Sequence, residues 1–234
     1  DVDGIDAAHK LCLLTSIAFG TQPDFDNLGV TGIREITSED IESAATLGYK
    51  IKLLAISKHD KDGITQNVEP CLVPREHVLS GVSGVLNAVY VTGDFVHSHF
   101  SVGPGAGEEP TASSVVSDIV DFACYNQRPV FGTKYSELDK LDHKPSSELR
   151  RRFYIRLPVL DKAGVLADIS KIFQQHDISI ETLIQIGRDP DQPVAIILTT
   201  HKAVARDIKA AVREISQLET SISKPCVMRV EDAL

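Results

Sequence analysis

Asp6 and Lys10 stand four positions apart in D-V-D-G-I-D-A-A-H-K, where an apolar helical run begins. At that spacing a carboxylate and an ammonium share one face of a helix, and a solvated surface ion pair is the commoner meaning. The run that follows, Leu11, Cys12, Leu13, Leu14, Ile17, Ala18 and Phe19, is apolar nearly all round and predicts a helix buried in a core. Charges at the mouth of a buried helix suit a specific chemistry. A lysine tuned by partial burial can move a proton to or from a substrate hydroxyl, while an aspartate grips the same substrate.

A second candidate is the loop Gly103-Pro104-Gly105-Ala106-Gly107, which leads through Pro110-Thr111 into a helix with Val115, Val116, Ile119, Val120 and Ala123 on its apolar face. Glycines let a backbone approach a ligand closely, and free N–H groups at a helix start favour phosphate or carboxylate. The loop lacks the strand-G-x-G-x-x-G-helix layout of a dinucleotide fingerprint, and such a loop on its own is more often a plain connector. His97 and His99 share one face of a strand, but no acidic or thiol cluster completes a ligand set, and no metal site is predicted. Thr15 and Ser16 lack any nucleophile-elbow or triad context, which disfavours a hydrolase. His9 points elsewhere on the helix than Lys10 and is given no role.

The elements that must position these residues read as α+β. Thr21 to Arg34 is a loop rich in Gly, Asp, Asn and Thr. Thr37 and Asp40 make a capping-box pair for a helix carrying Ile41, Ala44, Ala45 and Leu47, stopped by Gly48. Tyr49 to Lys58 and Ile64 to Val73 form a hairpin, and Asn87 to Thr92 and Phe95 to Val102 flank the turn signal Gly93-Asp94. Together they predict one sheet of four mostly antiparallel strands. From Val130 to Arg151 the chain is polar and reads as a linker. Beyond it, strands at Phe153–Leu157, Ile178–Gly187, Val194–Thr200 and Cys226–Val230 alternate with helices after Gly164 and from Val204, with a turn at Asp189–Pro193. The order is βαββαβ, the ferredoxin-like unit, a superfold that does not by itself fix a function.

Composition excludes whole classes. At 234 residues and 42% hydrophobic content, one or two domains with real cores are expected. A net charge of -9 disfavours a nucleic-acid partner, whose binding needs Lys and Arg against phosphate. No basic n-region with an apolar h-region opens the chain and no run of about 18 apolar residues occurs, so neither a signal peptide nor a membrane partner is expected. Four scattered cysteines without C-x-x-C read as reduced thiols of a cytoplasmic protein. The chain opens without Met and directly on a motif, so an N-terminal part is expected to precede it.

D-V-D-G-I-D-A-A-H-K-L at 1–11 and G-P-G-A-G-E-E-P-T-A-S-S-V-V-S-D-I at 103–119, with V-S-G-V-L-N-A-V-Y-V-T-G-D at 82–94 between them, resemble homoserine dehydrogenase. The resemblance covers residues 1–125. Residues 151–234, with D-K-A-G-V-L after the first strand, resemble an ACT domain, an amino-acid-sensing module. The implied organisation is a catalytic, substrate-binding and dimerisation domain at 1–129, a linker at 130–150 and an ACT regulatory domain at 151–234.

That resemblance implies reversible, NAD- or NADP-dependent interconversion of L-homoserine and L-aspartate 4-semialdehyde. Lys10 matches the family's catalytic lysine, the acid–base group for the homoserine hydroxyl. Asp6 matches a carboxylate that binds the substrate ammonium, and Asp1 a nearby acidic position. Gly107 matches a cofactor contact, extended along its loop to Ala106 and Gly105. The family's Rossmann domain and an acidic ligand upstream of Asp1 have no counterpart here, so the chain alone is expected to be inactive. In the ACT-like part, Asp161, Gly164, Val165 and Leu166 frame the expected effector loop, with L-threonine as effector at a subunit interface of a dimer or tetramer. The alternative is a non-catalytic amino-acid-binding regulatory and dimerisation module.

Overall fold

In a computed structural model, which describes residues 1–125, 129–186 and 193–231, the first helix α1 runs from Ile5 to Phe19. Gly4 and Gly20 bracket it, both with left-handed backbone at φ 80° and 64°. Its buried face is Ala8, Leu11, Cys12, Thr15 and Ser16. Leu13, Leu14 and Ile17 on the opposite face are about half exposed. The expected all-round burial is therefore corrected: the helix has two apolar faces, and one is covered here. The covered face packs through Ala8, Leu11 and Cys12 on Leu28 and Val68.

The short strand β1, Gly29–Val30, lies parallel to β3. Helix α2, Ser38–Thr46, carries the predicted capping box: Asp40 N donates to Thr37 Oγ1 at 3.3 Å and Thr37 N to Asp40 Oδ2 at 2.9 Å. Strands β2, Tyr49–Asp60, and β3, Gly63–Pro74, form the predicted hairpin, in register from Tyr49 opposite Pro74 to Asp60 opposite Gly63. Strands β4, Leu86–Gly93, and β5, His97–Pro104, pair only with each other among the described residues, which corrects the expected four-stranded sheet. The turn between them also takes Phe95 out of the strand. A two-stranded ribbon is marginal in water by itself, and this one exposes Val89, Val91 and Val102. Helix α3, Glu108–Tyr125, likewise presents Val115, Val116, Ile119, Val120 and Phe122 to solvent.

The polar segment read as a linker is held to the first module over residues 138–144. Gln22 N donates to Asp139 O at 2.8 Å, Ile64 N to Asp142 O at 2.8 Å, and Lys144 N returns to Ile64 O at 2.8 Å. Leu138 is buried beside this seam.

The second module follows the predicted order. It comprises β6 (Arg150–Leu160), α4 (Val165–Gln175), β7 (Ile180–Ile186), β8 (Pro193–Thr200), a short β9 (Ala203–Val204), α5 (Ala205–Ile215) and β10 (Cys226–Val230). Of the predicted turn Asp189–Pro193, Pro193 opens β8, and the rest, with the predicted strand end at Gly187, lies outside the described residues. The sheet order β10-β6-β8-β7 is antiparallel throughout, and its helix-covered face holds a core of Leu157, Ile169, Phe173, Ile196, Leu198 and Ile208. Its other face packs Tyr154, Ile197, Cys226 and Met228 against Ala44 of α2 and Leu72 of β3. The two modules also share one sheet. Parallel pairing of Cys71 with Arg229 and Leu72 with Val230 joins β3 to β10, giving eight strands in all.

Candidate functional site

The first turn of α1 carries the candidate chemistry. Lys10 Nζ donates to Asp6 Oδ2 along the helix, and both side chains are mostly exposed, at 67% and 58%. The predicted partial burial of the lysine is thus not provided by this chain. The hydrogen bond from Lys10, with the attraction of its charge, holds the Asp6 carboxyl below its usual range against an opposing desolvation. Asp1 belongs to a tight turn in which Gly4 N donates to Asp1 O at 2.9 Å. Gly4 has left-handed backbone, and an added Cβ would also press on Val68 and Val30 at 3.1 and 3.2 Å. His9, predicted to have no role, stacks on Phe25 with ring centroids 4.5 Å apart.

A partner that sequence spacing did not reveal holds this turn. Arg34 donates to Asp3 through Nε at 2.6 Å and Nη2 at 3.0 Å, and Ile33 N donates to Val2 O at 2.9 Å. The two segments are 31 residues apart, so no local pattern links them. The buried ion cluster under the joined sheet was likewise invisible in sequence. There Arg151 and Arg229 reach Glu69 at 3.1 and 3.5 Å, and Arg229 also pairs with buried Glu231.

The glycine loop leaves β5 and enters α3. Gly105 N donates to Val85 O at 2.9 Å, and a Cβ on Gly105 would overlap the Asn87 side chain. Gly107 has φ 131°, with its carbonyl accepting from Thr111 N at 3.1 Å. Close approach of Asn87 explains Gly105 and backbone conformation explains Gly107, and residues 105–107 are exposed. Glu108 and Glu109 occupy the first turn of α3 and already complement its dipole. The loop sits on the β4–β5 ribbon, which shares no strand pairing with the sheet beneath α1, so the structure unites Asp6 with Lys10 and leaves Gly105, Ala106 and Gly107 on a separate element.

In the second module Gly164 caps α4 with φ 98° and no side-chain hydrogen bond, leaving first-turn amides to the backbone alone. Asp161 Oδ1 accepts from Gln185 Nε2 of β7 at 3.2 Å. Val165 is buried in the core and can offer a ligand only its backbone, whereas Leu166 is 38% exposed. Two surface cavities of about 220 and 270 Å³ lie elsewhere, around Ser216, Ser221 and Lys224 and between Glu35, Lys209 and Arg213. Among the described residues no group of three His, Cys, Asp or Glu side chains could hold a metal ion, and no helix is long and apolar enough to cross a membrane.

The family model for homoserine dehydrogenase matches residues 1–120, and the model for the ACT domain matches residues 153–220. Homoserine dehydrogenases of Helicobacter pylori and Pseudomonas aeruginosa are 38% and 39% identical over 99% of this chain, each match taking in 55% of the relative. A solved homoserine dehydrogenase from Thiobacillus denitrificans superposes with a TM-score of 0.87 at 38% identity, over 99% of this chain and 54% of that one. One from S. aureus gives 0.67 at 25% identity, over 100% and 54%. The chain spans about half the length of the curated relatives it matches.

Proposed function

The chain belongs to the homoserine dehydrogenase family, and on that premise we propose that it supplies the substrate-binding and acid–base half of an NAD- or NADP-dependent homoserine dehydrogenase. The observation that carries the reading is the Asp6–Lys10 pair at the start of α1, on the solvent side of a helix whose other face is seated on β2 and β3. In the oxidative direction Lys10, as the neutral amine, takes the proton of the homoserine hydroxyl while hydride leaves the carbon that bears that hydroxyl. In reduction it returns that proton to the aldehyde oxygen. Asp6 exchanges its contact with Lys10 for the substrate ammonium, and Asp1 adds negative charge to the same side.

The nicotinamide cofactor, when bound, accepts or donates the hydride. This chain would meet it through Gly105, Ala106 and Gly107, whose edge carries no bulky side chain. Exposed Leu13, Leu14 and Ile17 of α1, with the apolar face of α3, fit a further domain of the same protein, and the ribbon β4–β5 fits a second subunit. The reading includes a homo-oligomer working in the cytoplasm on homoserine and aspartate semialdehyde, with domains at 1–129 and 151–234 joined by 130–150.

The deciding measurement is homoserine-dependent reduction of NAD(P)⁺ by the chain joined to a nucleotide-binding domain. Lys10→Ala is expected to lower that rate by roughly 10² to 10⁴, the usual size of an acid–base contribution. A full rate in the variant would refute the assignment. A second reading, amino-acid sensing by the ACT module, is favoured by the uncapped amides behind Gly164 beside the Asp161–Gln185 contact. Threonine is its proposed effector.

A further inference from the structure

The proposed lysine and carboxylates stand on a four-residue turn and the first two turns of α1, and the segment after β1 fixes that four-residue turn from outside. Thr31 N donates to Val68 O of β3 at 2.7 Å, which registers the segment on the central sheet. Gly32 then passes so close to the turn that a Cβ would lie 2.4 Å from Val2 O and 2.8 Å from Asp3 Cα. Ile33 N donates to Val2 O, and Arg34 grips Asp3 with two nitrogens on two oxygens. The turn is therefore clamped between β3 and this strap.

From this geometry we infer that Thr31 to Arg34 is the positioning element of the substrate site, with Arg34 the positioning residue that acts through Asp3 on Asp1 and Asp6. Most exposed ion pairs contribute little, but a planar guanidinium held at both carboxylate oxygens fixes distance and angle together. Asp1 lies two residues before Asp3 and Asp6 three after it, so both carboxylates follow its placement. A displacement of about 1 Å at a binding group can cost on the order of 10²-fold. The inference rests on the proposed roles of Asp1 and Asp6 and adds a residue that touches neither substrate nor cofactor.

Arg34→Met keeps the side-chain stem and removes the fork. In the joined enzyme it is expected to raise the KM for homoserine about tenfold, with kcat and the cofactor KM within about twofold of wild type. Arg34→Lys should be intermediate, and exchanging the charges by Asp3→Arg with Arg34→Asp should restore part of the loss. An unchanged homoserine KM overturns the inference, as does a parallel change of kcat, cofactor KM and melting temperature, which assigns Arg34 to the fold alone. Wild type compared with Lys10→Ala in the same assay tests the enzyme reading separately. Should wild type show no homoserine-dependent rate, amide hydrogen exchange in the same protein decides. Gly4 and Ile33 should exchange about tenfold faster in Arg34→Met at unchanged global stability, and unchanged exchange overturns the clamp.

Discussion

Asp40 of α2 and Arg156 of β6, 116 residues apart, meet through two buried hydrogen bonds of 2.7 and 3.0 Å. The same carboxylate accepts from the Tyr154 hydroxyl at 3.0 Å and closes the capping box with Thr37. One fully buried aspartate thus caps a helix of the first module and anchors the sheet of the second. Asp40→Ala would strand a buried guanidinium, and its expected cost is about 3–5 kcal/mol. Thr37→Ala disturbs mainly the cap and should cost about 1 kcal/mol. Urea denaturation of the two variants checks the ordering, and equal costs would remove the link between modules from the explanation.

The same group predicts how stability falls in acid. Burial pushes the Asp40 carboxyl up, but the Arg156 guanidinium and the Thr37 donors together outweigh it and hold the group below its ordinary range. A carboxyl depressed in the folded state contributes its full stabilisation above the unfolded value, near 3.9, and loses it as pH falls through the folded value. The acid limb of stability below about pH 4 should therefore flatten in Asp40→Asn, starting from a lower plateau. An acid limb of wild-type slope in that variant would contradict the assignment.

Gly63 opens β3 with φ 123°, and a Cβ there would lie 2.4 Å from Asp142 O on the strap 139–144. Strain and collision act together, because Asp142 O also accepts from Ile64 N. Gly63→Ala is expected to cost roughly 1–3 kcal/mol and to release the strap. Faster proteolysis between residues 130 and 150 would report that release, and unaltered cleavage would argue against it.

Burial pushes the Cys71 and Cys226 thiols up to about 12, and Cys12 is raised for the same reason, while Cys124 is exposed on α3. Because the thiolate is the reactive form, a native chain should show one fast thiol toward an aromatic disulfide reagent and three that react only on unfolding. Replacement of Cys124 by Ser should abolish the fast phase. A fast phase that persists would mean that a buried thiol opens readily.

Local signals in the sequence proved legible where a few neighbouring residues decide the outcome. Thr37 and Asp40 announce their own helix start, and the ferredoxin-like order follows from periodicity and turns. The joint between β3 and β10 involves two residue pairs brought together across more than 150 positions, and parallel pairing has no turn to announce it. Arg156 and Arg34 were unreadable for a related reason: a charge in a strand or loop says nothing of its partner until the chain is folded. The exposure of Leu13 and Ile17 was misread because apolar composition records what a face needs, not whether this chain supplies the cover. In the site, the Asp6–Lys10 contact was local and legible, whereas the clamp on Asp3 was not.

The proposed effector loop yields the last expectation. Gly164 has a left-handed backbone and open space where a Cβ would go, so Gly164→Ala acts through conformation rather than collision. It should lower stability by about 1 kcal/mol. If the amides behind Gly164 receive an amino-acid carboxylate, the altered backbone should weaken threonine binding in calorimetry well beyond that modest loss. Asp161→Asn, which keeps the loop backbone and weakens the contact from Gln185, should bind threonine with intermediate affinity. Coupling between two binding sites is reciprocal, so in the joined enzyme homoserine should alter threonine affinity by the same factor by which threonine alters homoserine affinity. Threonine binding that is unaffected by Gly164→Ala would move the effector site away from this loop.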